Sequence, residues 1–193
     1  MRVVHYPHPA LRWKSKPIVE INADLRATIA RMFELMYEHK GIGLAANQVA
    51  LPIRLFVANV SGNAEAKDEE HVFINPEIIS RKGTDEAEEG CLSLPELYGP
   101  VKRAEEIVVD AFDLDGRQFA MTLTALPARV VQHEIDHLDG VLFTDRMTDA
   151  ARRELDPRIA DFEAHFRRQQ SAGEIPSDDE IRRQLRKLEP NGD

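Results

Sequence analysis

Residues 132 to 137 read "QHEIDH", and within them His133, Glu134 and His137 form the pattern H-E-x-x-H. On a helix, two histidines four residues apart project from one face, so they can hold one metal ion between them. Glu134, beside the first histidine, can then reach a metal-activated water and act as general base. Two imidazoles under-coordinate a divalent ion, because catalytic sites of this kind take three protein ligands and keep one position open. A third donor must come from elsewhere. In the longer pattern H-E-x-x-H-x-x-G-x-x-H it is another histidine; Gly140 fits the glycine, but Phe143 stands at the histidine position and cannot ligate. Glu154 and Glu163 are downstream carboxylates of low specificity. Cys91, in "EGCLSLP", is the only cysteine in the chain. A lone thiol forms no intrachain disulfide, so it is a buried hydrophobe, a nucleophile or a ligand. As a thiolate it binds soft and borderline metals strongly, which makes it the better third candidate. The bare motif also arises by chance on solvated helices, so the elements around it have to be weighed.

From Ala125 to Gly140 the spacing predicts a helix with Leu126, Val130, His133 and His137 on or near one face and Pro127 in its first turn. Leu25, Ile29, Met32, Phe33 and Met36 predict an earlier helix, capped by Asn22 or Asp24 and ended by Lys40 and Gly41. Between the two, "RLFVANV", "HVFINPEII" and "EEIVVDAF" read as strands, and Asp115-Gly116 turns a hairpin into "RQFAMTL". Residues 61 to 70 read as a polar loop. Strands followed by a helix indicate an α+β domain. Phe162 and Phe166 suggest a further helix, and "SDDE" caps "IRRQLRKL", with Pro157, Gly173 and Pro176 dividing this tail into pieces.

A chain of 193 residues, 42% of them hydrophobic, suits one ordinary domain with a sizeable core. The net charge of -9 argues against DNA or other broad nucleic-acid binding, which needs clustered Lys and Arg. No apolar run of about eighteen residues is present to span a membrane, and the start of the chain has no signal-like apolar core. With a single cysteine, the expected location is cytoplasmic.

Three segments stand in order: "GIGLAANQ" at 41 to 48, "EGCLS" at 89 to 93 and "QHEIDHLDG" at 132 to 140. In order and approximate spacing they resemble the three motifs of the peptide deformylase family. With "HYPHPAL" near the start, the resemblance covers about residues 1 to 148. It implies a catalytic domain over 1 to 148 and a helical extension of open role over 149 to 193. The expected architecture is α+β, with mixed, mainly antiparallel sheets packed around a central H-E-x-x-H helix, an N-terminal helix and a C-terminal helical segment. It also implies a metal-dependent hydrolase that removes the formyl group from N-formylmethionine of nascent polypeptides.

Under that resemblance Cys91, His133 and His137 are the metal ligands and a water takes the fourth place. The ion is one divalent metal, expected to be Fe2+, with Zn2+, Ni2+ or Co2+ able to occupy the same site. The activated water attacks the formyl carbon, Glu134 acts as base and then acid, and the oxyanion is met by Gln48 and the N–H of Leu92. Ile42, Gly43 and Gly90 lie along the extended substrate, Arg103 holds its backbone, and Leu126 and Val130 line the methionine pocket. Asp136 and Glu89 orient neighbouring groups. Asn47 stands where many members have Pro, and Ala50 where many have Gly. The tail carries nine basic and ten acidic residues from 150 onward, and "IRRQLRKL" could dock on the ribosome. Two other readings compete. A peptide-bond metalloprotease needs a downstream third ligand and leaves Cys91 unexplained; a structural-metal binding module needs a closed site with four protein ligands.

Overall fold

Strand β2 (Leu55–Ala58) is apolar at every position, and all four of its residues are buried. A strand with one wet face would alternate; this one does not, because helices cover both of its sides. Leu55 and Val57 share one apolar cluster with Leu25, Ile29, Met32 and Met36 of helix α1 (Ala23–Glu38). Phe56 and Ala58 share another with Ala128, Val131, Ile135 and Leu138 of helix α2 (Ala125–Leu138). The computed structural model describes residues 1–190, and this layering of α1, sheet and α2 is its centre.

The sheet has five strands in the order β1 (Gly43–Ala45), β2, β3 (His71–Lys82), β6 (Glu106–Phe112) and β7 (Gln118–Thr124), every neighbour antiparallel. Strands β4 (Asp85–Cys91) and β5 (Leu94–Arg103) form a separate antiparallel hairpin. Among the described residues, parallel pairing occurs only as an isolated bridge between Lys16 and Ile53. The α+β class expected from the sequence is the one observed. The four expected strands are β2, β3, β6 and β7. Gly116 turns the β6–β7 hairpin at φ 75° and donates its N–H to the Asp113 carbonyl at 3.1 Å. Asn22 caps α1 by accepting from the Leu25 N–H at 3.0 Å, and Gly41 closes it by donating to the Met36 carbonyl at 2.8 Å.

The hairpin β4–β5 has no counterpart among the strands expected from sequence. "DEAEEG" is acidic and poor in β-formers, while β5 contains Pro95 and Pro100, which normally argue against a strand. A two-stranded ribbon tolerates prolines because each strand has one unpaired edge. The alternation is present all the same: Leu94, Leu97, Val101 and Arg103 of β5 turn inward.

The tail forms two helices, α3 (Asp149–Ser171) and α4 (Asp178–Leu188). Ser177 caps α4, its side chain accepting from the Glu180 N–H at 3.3 Å. The expectation that Pro157 divides the tail is corrected: it lies inside α3. Pro157 is exposed, so water can solvate the carbonyl its ring releases. Leu155, Ile159, Phe162 and Phe166 hold the helix to the core on both sides of it. Phe166, Ile181 and Leu185 bury beside Val4, Leu11 and Phe143.

His8 sits at this junction, its ring edge-on to Phe166 with centroids 6.1 Å apart. Burial, reinforced by the charge of Arg2 and opposed by that of Asp178, pushes its pKa down to about 4 from 6.5. Below pH 6.5 the unfolded chain takes up a proton that the native state refuses. The stability this site contributes is therefore complete above that pH and lost as pH falls toward 4. His8→Asn keeps an acceptor for the Ala10 N–H without titrating. Urea unfolding between pH 7 and pH 4 should show the wild type losing stability relative to that variant.

Candidate metal centre

The inward side of α2 is polar: Arg129, Gln132, Glu134, Asp136 and His137 are all buried. A helix packs such a face only where partners meet it. Gln132 bridges backbone, accepting from the Ala104 N–H at 3.0 Å and donating to its carbonyl at 2.9 Å. Asp136 accepts from both Arg103 and Arg146. Glu89, on β4, accepts from Arg103 Nε at 2.8 Å, Arg103 Nη2 at 2.9 Å and Arg129 Nη1 at 2.8 Å, and its Oε2 lies 3.0 Å from His133 Nδ1. Burial opposes ionisation of Glu89, but Arg103 and His133 overcome it and hold the carboxyl well below its ordinary range. An ionised Glu89 holds a proton on His133 Nδ1, which makes Nε2 the nitrogen that would give up its proton to a metal.

Cys91 ends β4, where the pairing register shifts after Gly90 and so re-aims the chain. Its Sγ is 3.2 Å from His137 Nε2, and the donor atoms of Cys91, His133 and His137 all lie within 4.8 Å of one another. Ligands about 2.0–2.3 Å from one tetrahedral ion stand roughly 3–4 Å apart, so the spacing suits a single metal. Burial, with the charges of His133 and Arg103 adding to it, lowers His137 well below its ordinary pKa and keeps the ring neutral for ligation. At His133 burial opposes charge, yet hydrogen bonds to Cys91 and Glu89 prevail and push it up to about 10. The donors thus draw positive charge to the point they share. Glu134 Oε2 and His137 Nδ1 have no hydrogen-bond partner among the described residues. A buried carboxylate oxygen left open beside three donors marks a place for water and an ion. The side chains fit a divalent metal.

Glu134 itself is pushed up to about 7 by burial, against the charges of His133 and Arg103. Gln48 stands on a 3-10 turn, Ala46–Val49. Its Oε1 accepts from the Ala45 N–H at 2.9 Å, which turns its Nε2 toward Cys91 Sγ at 3.5 Å and Ser93 Oγ at 3.3 Å. The two downstream carboxylates are elsewhere: Glu154 is exposed on α3, and Glu163 accepts from the Tyr6 hydroxyl at 2.7 Å.

Residues 1–153 match the family model described as polypeptide deformylase. The chain belongs to the polypeptide deformylase family. It is 47% identical over 175 residues to a peptide deformylase of Rhodopirellula baltica, covering 91% of this chain and 87% of that one. To the peptide deformylase of Acidobacterium capsulatum it is 49% identical over 172 residues, covering 89% and 96%. A crystal structure of Arabidopsis thaliana peptide deformylase 1B superposes with a TM-score of 0.83 at 39% identity, covering 92% of this chain and 96% of that one. One from Plasmodium falciparum gives 0.84 at 33% identity, covering 91% and 100%.

Cys91 and His133 open onto a cleft of about 580 Å3. Ile42, Gly43, Gly90, Leu126 and Val130 line it with Gln48, Leu92 and Glu134. Val130 is buried and Leu126, 50% exposed, stands at the rim. Arg103 is a correction. It does not line the cleft; its guanidinium is buried and committed to Glu89 and Asp136, so it braces the site and does not face a substrate backbone. The arginine that lines the cleft is Arg129, one helical turn before His133, which sequence reasoning missed although the spacing of four placed it on the ligand face. Tyr98 was missed as well, because β5 was not read as a strand. Asn47 ties the Ala46–Val49 turn to the amino-terminal segment, donating to the carbonyls of Ala10 at 3.2 Å and Trp13 at 2.6 Å. Ala50 takes a left-handed conformation, φ 59°, at the end of that turn.

Gly43 cannot be replaced freely, since a Cβ there would stand 2.5 Å from Glu134 Oε1. In Gly43→Ala the carboxylate must move while Cys91, His133 and His137 stay in place. We expect metal content unchanged and kcat lowered by up to about 10², the usual scale for a displacement near 1 Å. Metal analysis and steady-state kinetics on one preparation check both.

Proposed function

We propose that the protein hydrolyses the formyl amide of N-formylmethionyl peptides, releasing formate and a free amino terminus, with the side chains of this cleft in the following roles. The observation that carries the reading is the meeting of the Cys91, His133 and His137 donor atoms with an open Glu134 oxygen and the Gln48 amide at one buried point beside the cleft. A divalent ion held by the three donors supplies Lewis-acid activation of a water near neutral pH. Glu134 takes a proton from the attacking water and later gives it to the leaving amine, a double duty suited to a carboxyl raised to about 7. Gln48 Nε2, aimed past Cys91, donates with the Leu92 N–H to the oxygen that gains charge as the formyl carbon becomes tetrahedral. The glycines around Ile42 let an extended peptide lie close, and Leu126 and Val130 take the methionine side chain.

Ferrous iron is the ion we assign, following the resemblance; the Cys and His donors themselves also accept Zn2+, Ni2+ and Co2+. The nascent chain is the natural source of such a substrate. Ribosome contact through α4 is supported by its arrangement, since Ile181 and Leu185 turn inward and Arg182, Arg183, Arg186 and Lys187 outward. Among the described residues no helix is long and apolar enough to cross a membrane. Relatives from tomato and Arabidopsis carry chloroplast and mitochondrial designations, so the cytoplasmic assignment rests on the sequence argument.

Comparing kcat/KM for a formyl-Met tripeptide, its acetyl analogue and an unblocked peptide tests the reading. Formyl should be strongly preferred, acetyl weak and internal bonds uncut; efficient internal cleavage would overturn it. Glu134→Ala should keep its metal while kcat falls by about 10² to 10⁴. Gln48→Ala should lower kcat by roughly 10² to 10³ with little change in KM, because its bond strengthens only as charge develops. A lowered melting temperature with unchanged kcat would make Gln48 a structural residue.

A further inference from the structure

Away from the catalytic cleft, a second cavity of about 640 Å3 lies between the amino-terminal segment and α3. The two cavities share no lining residue. The floor of the second is apolar, built from buried Val3, Val4 and Phe166 with Phe162 and Ile175. Its walls carry Arg2, Arg158 and Arg168 with His5, His8 and His165, against one acid, Asp161. That concentration runs against a chain with 34 acidic and 25 basic side chains.

Many arginines elsewhere are matched, as Arg12 is by Asp145, Arg54 by Asp139 and Arg167 by Asp178. Among the described residues Arg2 and Arg168 have no carboxylate partner although both line the same cavity, and neither His5 nor His165 has one. The imidazoles register the resulting field. Burial lowers the pKa of His5, and the charges of His39, Arg2 and His165 lower it further. Arg158 meets Glu96, and the lowered imidazoles of His5 and His8 are neutral near pH 7. The positive potential above the apolar floor therefore comes from Arg2 and Arg168, with Asp161 the one opposing carboxylate of the lining, in a volume within the range of about 300–1,000 Å3 typical of small-molecule sites. A long polyanion would meet the repulsion of a chain of net charge -9; a compact ligand need feel only the cavity.

We infer that this cavity binds a small amphipathic anion, with an aromatic or aliphatic body seated on Val4 and Phe166 and a phosphate or carboxylate head held by Arg2 and Arg168. Naphthyl phosphate is a suitable probe, titrated calorimetrically into the metal-loaded full chain beside naphthol and inorganic phosphate. A single site is expected, with naphthyl phosphate bound at least about tenfold tighter than either fragment, because head and body each contribute. Arg2→Ala with Arg168→Ala should weaken it by about tenfold or more. Arg81→Ala with Arg186→Ala, two exposed arginines outside the cavity, should leave it unchanged. A saturating methionyl tripeptide in the catalytic cleft should also leave it unchanged. Where the double variant shows a lowered melting temperature, Arg168→Glu alone, at an exposed position of α3, repeats the reading. Displacement by the tripeptide, equal loss in the two double variants, or naphthol binding as tightly as its phosphate would each overturn the inference.

Discussion

The carboxylate of Glu89 joins the strand that carries the thiol to the helix that carries the imidazoles. Its two oxygens meet Arg103 twice, Arg129 once and His133 once, all in a buried setting. Charges taken out of water in this way cost more than their attraction returns unless each is matched, and stripping one partner from a buried pair typically costs about 3–5 kcal/mol. Here the match is close to complete, because Arg103 also meets Asp136 and Arg129 also meets Asp85 and the Val101 carbonyl. The network therefore leaves β4 little freedom relative to α2. Cys91, two residues beyond Glu89, arrives at His137 as a consequence.

One helix face thus carries two kinds of polar group. Gln132, Asp136 and Arg129 are satisfied by protein atoms and build the wall. Glu134 Oε2 and His137 Nδ1 are left open, and of the two it is Glu134, lining the cleft beside the donors, that faces the space they share. Buried polar groups are rarely left unpaired in folded proteins, so the exceptions distinguish working groups from supporting ones more sharply than residue type does. Gly43 belongs to the same logic from the facing strand, since its missing side chain is the space that Glu134 occupies.

The amino-terminal segment and the tail support the turn that carries Gln48 from behind. Asn47, immediately before Gln48, is fixed by the carbonyls of Ala10 and Trp13 and accepts from the Ser15 hydroxyl at 2.6 Å. The Val4 N–H donates to the Gln48 carbonyl at 2.8 Å. The Trp13 indole in turn donates to Glu189, beyond α4, at 2.9 Å. Hydrogen bonds thus lead from the last helix to the residue beside the proposed oxyanion donor.

Local chemistry and periodicity were enough for α1, α2 and four strands of the main sheet, because each has an apolar pattern that its own neighbours complete. They were also enough for His133, Glu134 and His137, whose spacing is fixed by the helical turn itself, and the resemblance of three short motifs singled out Cys91 and Gln48. The β4–β5 hairpin was not legible, since its acidic and proline-bearing strands have weak intrinsic preference and are held by contacts with α2. Pro157 misled for the complementary reason: packing of residues on both sides of it overrides the local break. Arg103 and Arg129 show the division most plainly. The sequence reading singled out Arg103 and passed over Arg129, because a guanidinium's role depends on which carboxylates reach it, and those arrive from 14 and 33 residues away for Arg103 and from 40 and 44 for Arg129. Only the folded chain decides which arginine is enclosed and which borders the cleft, because separations of that length are closed by tertiary packing and leave no periodic trace in the sequence.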